Sequence, residues 1–117
     1  RFFGIEQVPK LVALPQWLQG SFDTLNHIMI EDCPNFTTLP EWMQNLRNLK
    51  KLEISYCPKL TSLPEGMNCL ASLREIRILQ CPELVRRCQR ETGEDWHKIT
   101  RVPDIYLDNI KISIADQ

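Results

Sequence analysis

Three stretches of this chain repeat one arrangement of apolar and polar positions. Residues 25–33, 49–57 and 73–81 read LNHIMIEDC, LKKLEISYC and LREIRILQC, and share the order Leu-x-x-(Leu/Ile)-x-Ile-x-x-Cys. Apolar and outward positions alternate across the middle of each stretch, as at Leu52 and Ile54. A period of two predicts a short strand with one face turned inward. Proline follows each terminal cysteine, at Pro34, Pro58 and Pro82. Proline has no N–H to give a ladder, so each strand is expected to stop there, with Cys33, Cys57 and Cys81 turned inward at the corner.

Between the strands run LPQWLQGSFDT, LPEWMQNLRN and LPEGMNCLAS. These predict short helical or irregular return arms, in which Leu60, Leu63, Met67 and Leu70 complete the core. Trp17 and Trp42 precede inward Leu18 and Met43 and are expected to pack against each other on the outer side. The corner cysteines stand 24 residues apart. A fixed period in this range signals a solenoid, whose units must stack because none buries its apolar side alone. Two flanking pieces join the pattern: FGIEQV places Phe3, Ile5 and Val8, and IYLDNI places Ile105, Leu107 and Ile110, at the last three core positions. The expected division is a partial repeat at 1–10, repeats at about 11–35, 36–59 and 60–83, and a C-terminal cap at 84–117. The opening RFFGIEQVPKL begins inside an apolar stretch without an initiator Met and reads as an excised fragment, with Phe3, Ile5 and Leu11 expected to meet further repeats.

The template resembles leucine-rich repeats, and CPKLTSLPEGMNCLASLREIRILQCPEL followed by RCQRETGEDWHKITRVPDI resembles the C-terminal end of that domain in plant disease-resistance proteins of the coiled-coil, nucleotide-binding class. Gly93, Glu94, Asp95, Trp96, Lys98, Ile99 and Pro103 carry the resemblance of the ending; His97 and the Arg101–Val102 pair depart from the family's commonest wording. The resemblance implies an α/β solenoid with a parallel β-sheet on the concave face, irregular or short-helical return arms, and a capping helix and strand. It implies a cytoplasmic module of an immune receptor that recognises a pathogen effector or a guarded host protein and restrains the receptor's own nucleotide-binding domain. It implies no cofactor in this chain, since ADP or ATP belongs to an upstream domain of such receptors.

The ending also reads without the family. Thr92 and Asp95 fit a capping box, so a short helix is expected to start at Gly93 and turn Trp96 and Ile99 inward. Pro103 stops it, and residues 104–109 add a last strand. A solenoid needs such a lid because its final coil would otherwise expose core. Arg86, Arg87, Arg90, Glu91, Glu94, Lys98 and Arg101 mix signs and read as solvated surface.

Composition narrows the function classes. The 117 residues are 43% hydrophobic and 25% charged with a net charge of −1, which fits one globular domain and gives no basic field for nucleic acid or anionic membrane. No apolar run reaches the 18 residues of a spanning helix. Five cysteines cannot all pair within the chain and suit a reducing compartment. Cys33, Cys57 and Cys81 stand far from any Cys-x-x-Cys zinc spacing, and buried, unmetallated thiols are expected rather than the alternative, a site built from Cys81, Cys88 and His97. There is no Walker loop, no Gly-x-Ser-x-Gly and no His-Glu-x-x-His, so catalysis is not expected.

Recognition remains, and the strand register supplies its candidates. Outward residues fall into three columns: Phe2, His27, Lys51, Glu75 and Asp104; Gly4, Met29, Glu53, Arg77 and Tyr106; Glu6, Glu31, Ser55, Leu79 and Asp108. The candidate partner-binding residues are His27, Met29, Glu31, Lys51, Glu53, Ser55, Tyr56, Glu75, Arg77, Leu79 and Tyr106. Lys51–Glu75 and Glu53–Arg77 can equally be cross-strand pairs worth a few tenths of a kcal/mol. The alternative class is an extracellular repeat protein, a receptor ectodomain or an enzyme inhibitor. The glycosylation sequon Asn35-Phe36-Thr37 favours it; the unpaired cysteines and the absence of a Gly-x-Ile-Pro corner do not.

Overall fold

The structure, a computed structural model, describes residues 1–21 and 23–112. Phe22 and residues 113–117, the last stretch of the expected cap, lie outside the described residues. Strands β1 (Phe2–Glu6), β2 (His27–Glu31), β3 (Lys51–Ser55), β4 (Glu75–Leu79), β5 (Asp104–Leu107) and β6 (Ile110–Lys111) form one sheet in chain order. The first five are parallel and β6 is antiparallel to β5. The alternation expected from the sequence is present. Ile28, Ile30, Leu52, Ile54, Ile76, Ile78, Ile105 and Leu107 are buried in stacked columns, and their neighbours face outward in the expected register.

The corner is sharper than the prolines alone would make it. Gln7, Asp32, Tyr56 and Gln80, each following its strand, have φ of 57°, 57°, 55° and 54°. A left-handed residue other than glycine costs roughly 1–2 kcal/mol. Part of that is returned by the ladder: the amides of Gln7, Asp32 and Tyr56 donate to Glu31, Ser55 and Leu79 of the next strand at 2.9, 2.8 and 2.9 Å. The turn swings the following cysteine inward, and Cys33, Cys57 and Cys81 are wholly buried. Each thiol donates to the carbonyl two residues back, at Glu31 (3.5 Å), Ser55 (3.3 Å) and Leu79 (3.4 Å). The Cys57 N–H lies 3.4 Å from Cys81 Sγ. Cysteine suits the corner because it is small, apolar and a weak donor. Burial pushes the Cys57 thiol up to about 11 and raises Cys81 as well, so those two thiols keep their protons.

The return arms are short 3₁₀ segments at Gln16–Ser21, Glu41–Asn45 and Glu65–Cys69. Extended Pro40 and Pro64 lead into the last two, and Leu18, Met43 and Met67 point into the core. The expected Trp17–Trp42 pairing is corrected. Trp17 meets the Phe3 ring edge-on at 5.8 Å and is 68% exposed, whereas Trp42 lies half-buried against the core.

After the third Cys-Pro the chain leaves the repeat. Pro82–Arg87 forms helix α1, since PELVRR lacks the second Leu-Pro and carries proline at the favoured first helical position. The capping box at Thr92 and Asp95 does not form; only a three-residue 3₁₀ turn, Trp96–Lys98, follows, and the Asp95 side chain makes no cap. Asp95 is instead fully buried. Arg87 grips its carboxylate with Nη2 at 2.9 Å and Nε at 3.3 Å, Lys98 Nζ lies at 2.9 Å, and the Leu63 N–H donates to it at 2.9 Å. Lys98 Nζ also donates to the Leu63 carbonyl at 2.7 Å. The lid thereby gives Leu63, on the last return arm, partners for both of its backbone groups. Lys98, expected on the solvated surface, is only 6% exposed; Trp96, Ile99 and Val102 are buried as a lid requires.

Ile110 is a second correction. Expected at an inward core position, it is 66% exposed. Asp108 and Asn109 have φ of 49° and 69°, the paired positive values of a tight hairpin turn, and return the chain antiparallel as β6. Asp108, placed in the third outward column, sits in that turn with its carboxylate accepting the Gln80 N–H at 2.8 Å.

Two outcomes test this packing. Cys57→Asp should destabilise the fold by several kcal/mol because the carboxylate has no partner in the corner, whereas Cys57→Ala should cost about 1 kcal/mol, read by thermal melts. For the lid, burial alone would raise the Asp95 carboxyl, but Arg87, the Leu63 amide and Lys98 hold it below its ordinary value. A depressed carboxyl contributes stability above the unfolded value near 3.8 and loses it as pH falls through the lower folded value. Asp95→Asn should remove about 3–5 kcal/mol at neutral pH and flatten the acid limb of the stability profile.

Candidate functional site

The outward side of the sheet carries one continuous chain of polar and aromatic contacts. The Phe2 ring meets His27 edge-on at 4.7 Å, and His27 Nε2 lies 2.6 Å from Glu53 Oε2. The carboxylate accepts, so Nε2 carries the hydrogen. Lys51 Nζ stands 3.8 Å from Glu53 and 3.5 Å from Glu75. Glu75 pairs with Arg77, and the Arg77 guanidinium lies 4.1 Å above the Tyr106 ring. Beyond it, Lys111 Nζ is 3.0 Å from Asp104. These contacts run unbroken from β1 to β5, and a separate pair joins β5 to β6.

One of the two expected cross-strand pairs forms. Lys51–Glu75 is present, but Glu53 turns to His27 and Lys51 rather than to Arg77. Arg77 bonds Glu75 within its own strand, and that hydrogen bond is the main reason its guanidinium is held more firmly protonated. This releases Arg77 to stack on Tyr106, the neighbour that the β4–β5 register sets beside it.

The magnitudes decide what these contacts are for. Their side chains are about a quarter to two-fifths exposed, and ion pairs of that kind contribute roughly 0.2–1 kcal/mol each, with a similar value for the cation–π contact. A buried Leu or Ile contributes about 1.5–3 kcal/mol, and the core holds more than twenty apolar side chains. The fold therefore does not depend on the outward face. What the network does is limit the rotamers of Arg77 and Tyr106, which lowers the entropy lost when a partner covers them.

The remaining candidates are distributed along the same face. Met29, Glu31, Ser55 and Leu79 are half-exposed at their strand positions. Tyr56 is 48% exposed but lies just past the strand, at the left-handed corner, so it stands on the rim rather than within the columns. Lys111 was not foreseen, because residues 104–109 read as a final strand; the Asp108-Asn109 pair was the signal for a hairpin.

Other candidate chemistry disperses. His97 is exposed beside Glu65 at 3.8 Å, while Cys81 and Cys88 are buried, with burial pushing Cys88 up to about 12. Among the described residues no group of three His, Cys, Asp or Glu side chains could hold a metal ion. No described helix is long and apolar enough to cross a membrane. All five cysteines are free, and only Cys69 is exposed. The sequon asparagine is occupied: Asn35 Nδ2 donates to the Pro9 carbonyl at 2.6 Å, and Lys59 donates to its Oδ1 at 3.1 Å.

No family model matches the chain, and no curated protein matches it. Among solved structures it is similar to the leucine-rich repeat domain of the bacterial type III effector XopL, with 31% sequence identity and a TM-score of 0.62. The similarity covers 71% of this chain and 27% of that one, so this chain spans about a quarter of its length. The fold is a leucine-rich repeat solenoid, and that fold is one of protein interaction.

Proposed function

We propose that this chain is the C-terminal part of the recognition domain of an intracellular plant immune receptor of the coiled-coil, nucleotide-binding class. Its concave face contacts a pathogen effector or a guarded host protein, or holds the receptor's own nucleotide-binding domain in the resting state. The observation that carries this reading is the preorganised Arg77–Tyr106 stack at 4.1 Å, on a face that contributes little to stability, with exposed Tyr56 at its rim. Tyrosine and arginine are the usual anchors of protein interfaces. Support for the receptor class comes from the Gly93–Trp96 stretch, in which Asp95 and Trp96 build a dedicated lid against the last coil. The engaged Asn35 amide and the unpaired thiols weigh against the extracellular reading.

Replacing Tyr56, Arg77 and Tyr106 together with Ala should leave the circular-dichroism melt unchanged, while weakening partner binding by about 30-fold or more. In the full-length receptor the same triple change should abolish or make constitutive the cell-death response in leaves. Trp96→Ala should behave in the opposite way, lowering stability by about 3–5 kcal/mol and affecting function only through unfolding. If the triple variant unfolds, or folds normally and signals like the parent protein, the concave face is not the recognition surface.

A further inference from the structure

At the edge of the sheet where the strands begin, three basic side chains line one groove. Lys50 and Arg74 occupy the same position in successive coils, immediately before β3 and β4, and are tied by the Arg74 N–H to the Lys50 carbonyl at 2.9 Å. Arg101, from the lid, joins them in a groove of about 340 Å³ that Ser72 and Pro103 also line. All three cations are exposed, and none has an ion pair or side-chain hydrogen bond among the described residues.

This is unusual for the chain. One residue further along β3 and β4, Lys51 faces Glu75 at 3.5 Å, and on the next pair of strands Lys111 faces Asp104 at 3.0 Å. Opposite charges are therefore readily placed on neighbouring strands, and like charges at matched positions are unfavourable. Three cations without an ion pair among the described residues, in a protein of net charge −1, make a local positive field without serving the fold.

We infer that this groove is an anion site for an acidic side chain, carboxylate or phosphorylated, on an extended segment of a protein partner. Two guanidinium groups offer paired donors to an oxyanion, Lys50 adds a point charge, and the half-buried Ser72 brings a hydroxyl. Because Lys50 and Arg74 directly precede Lys51 and Glu75 of the concave face, a protein lying on that face reaches the groove with an adjoining segment. The inference rests on the concave-face reading only in making the partner a protein, and its residues are different ones.

The test is a titration followed by NMR of backbone amides and arginine Nε–H groups. The probes are an eight-residue glutamate-rich peptide, the same peptide with one phosphoserine, its glutamine analogue, and phosphatidylserine vesicles. Saturable shifts centred on Ser72, Arg74 and Arg101 are expected with both acidic peptides and absent with the glutamine peptide. Arg74→Gln and Arg101→Gln should each weaken binding about tenfold. Lys50→Gln/Arg74→Gln/Arg101→Gln should abolish it while keeping or raising the melting temperature. Arg77→Ala should leave this titration unchanged, so the groove and the concave face fail separately. The inference is overturned if neither acidic peptide binds, if the triple variant binds as before, if shifts spread equally to Lys59, or if vesicles bind and the peptides do not.

Discussion

No coil of this chain can bury its own apolar side, and the rest of the structure follows from that. Each turn offers a few inward residues, such as Leu49, Leu52, Ile54, Cys57, Leu60, Leu63 and Met67, which become core only when the next turn lies against them. Stacking requires identical strand lengths and a corner of fixed shape. The left-handed residue, the buried cysteine and the proline provide that corner, and the same three-part device recurs in every repeat. A stack also has ends. At one of them the chain abandons the repeat, inserts α1, and closes with Trp96, Ile99 and the buried Asp95 cluster.

Charge is used in two distinct ways on either side of the sheet. Inside the lid, Asp95 is desolvated and has four donors, so removing any one leaves a buried group unpaired; this is where an electrostatic contact holds structure. On the outward face the pairs from His27 to Arg77 remain in contact with water and hold orientation instead. The Lys50–Arg74–Arg101 groove is a third arrangement, in which the cations have no ion pair among the described residues. The outward face and the groove can vary in sequence without loss of the fold, which suits surfaces of recognition.

Much of this was legible in the sequence because the repeat writes the same physical constraint three times. The alternation at Leu52 and Ile54 fixed strand and face together, and the 24-residue spacing fixed the register of the outward columns. Two failures lie where the chain departs from the repeat. Asp95 read as a helix cap and Lys98 as a surface charge, since nothing local reveals that Leu63, more than thirty residues earlier, donates to one and accepts from the other. Ile110 was assigned by extending the period past a turn that Asp108-Asn109 reverses. The left-handed corner was hidden because Gln7, Tyr56 and Gln80 are not residues that favour that conformation. There the stack imposes the backbone on the side chain.

Hydrogen exchange at the corners tests the central claim most directly. If coil-on-coil stacking holds the left-handed turn, the amides of Asp32 and Tyr56, bonded to Ser55 and Leu79 of the following strands, belong to the ladder. They should then exchange as slowly as the interior amides of β3 and β4, through one shared opening that denaturant accelerates equally for all of them. Exchange of Asp32 and Tyr56 at the rate of exposed loop amides such as Thr61 and Ser62, while β3 and β4 stay protected, would contradict it.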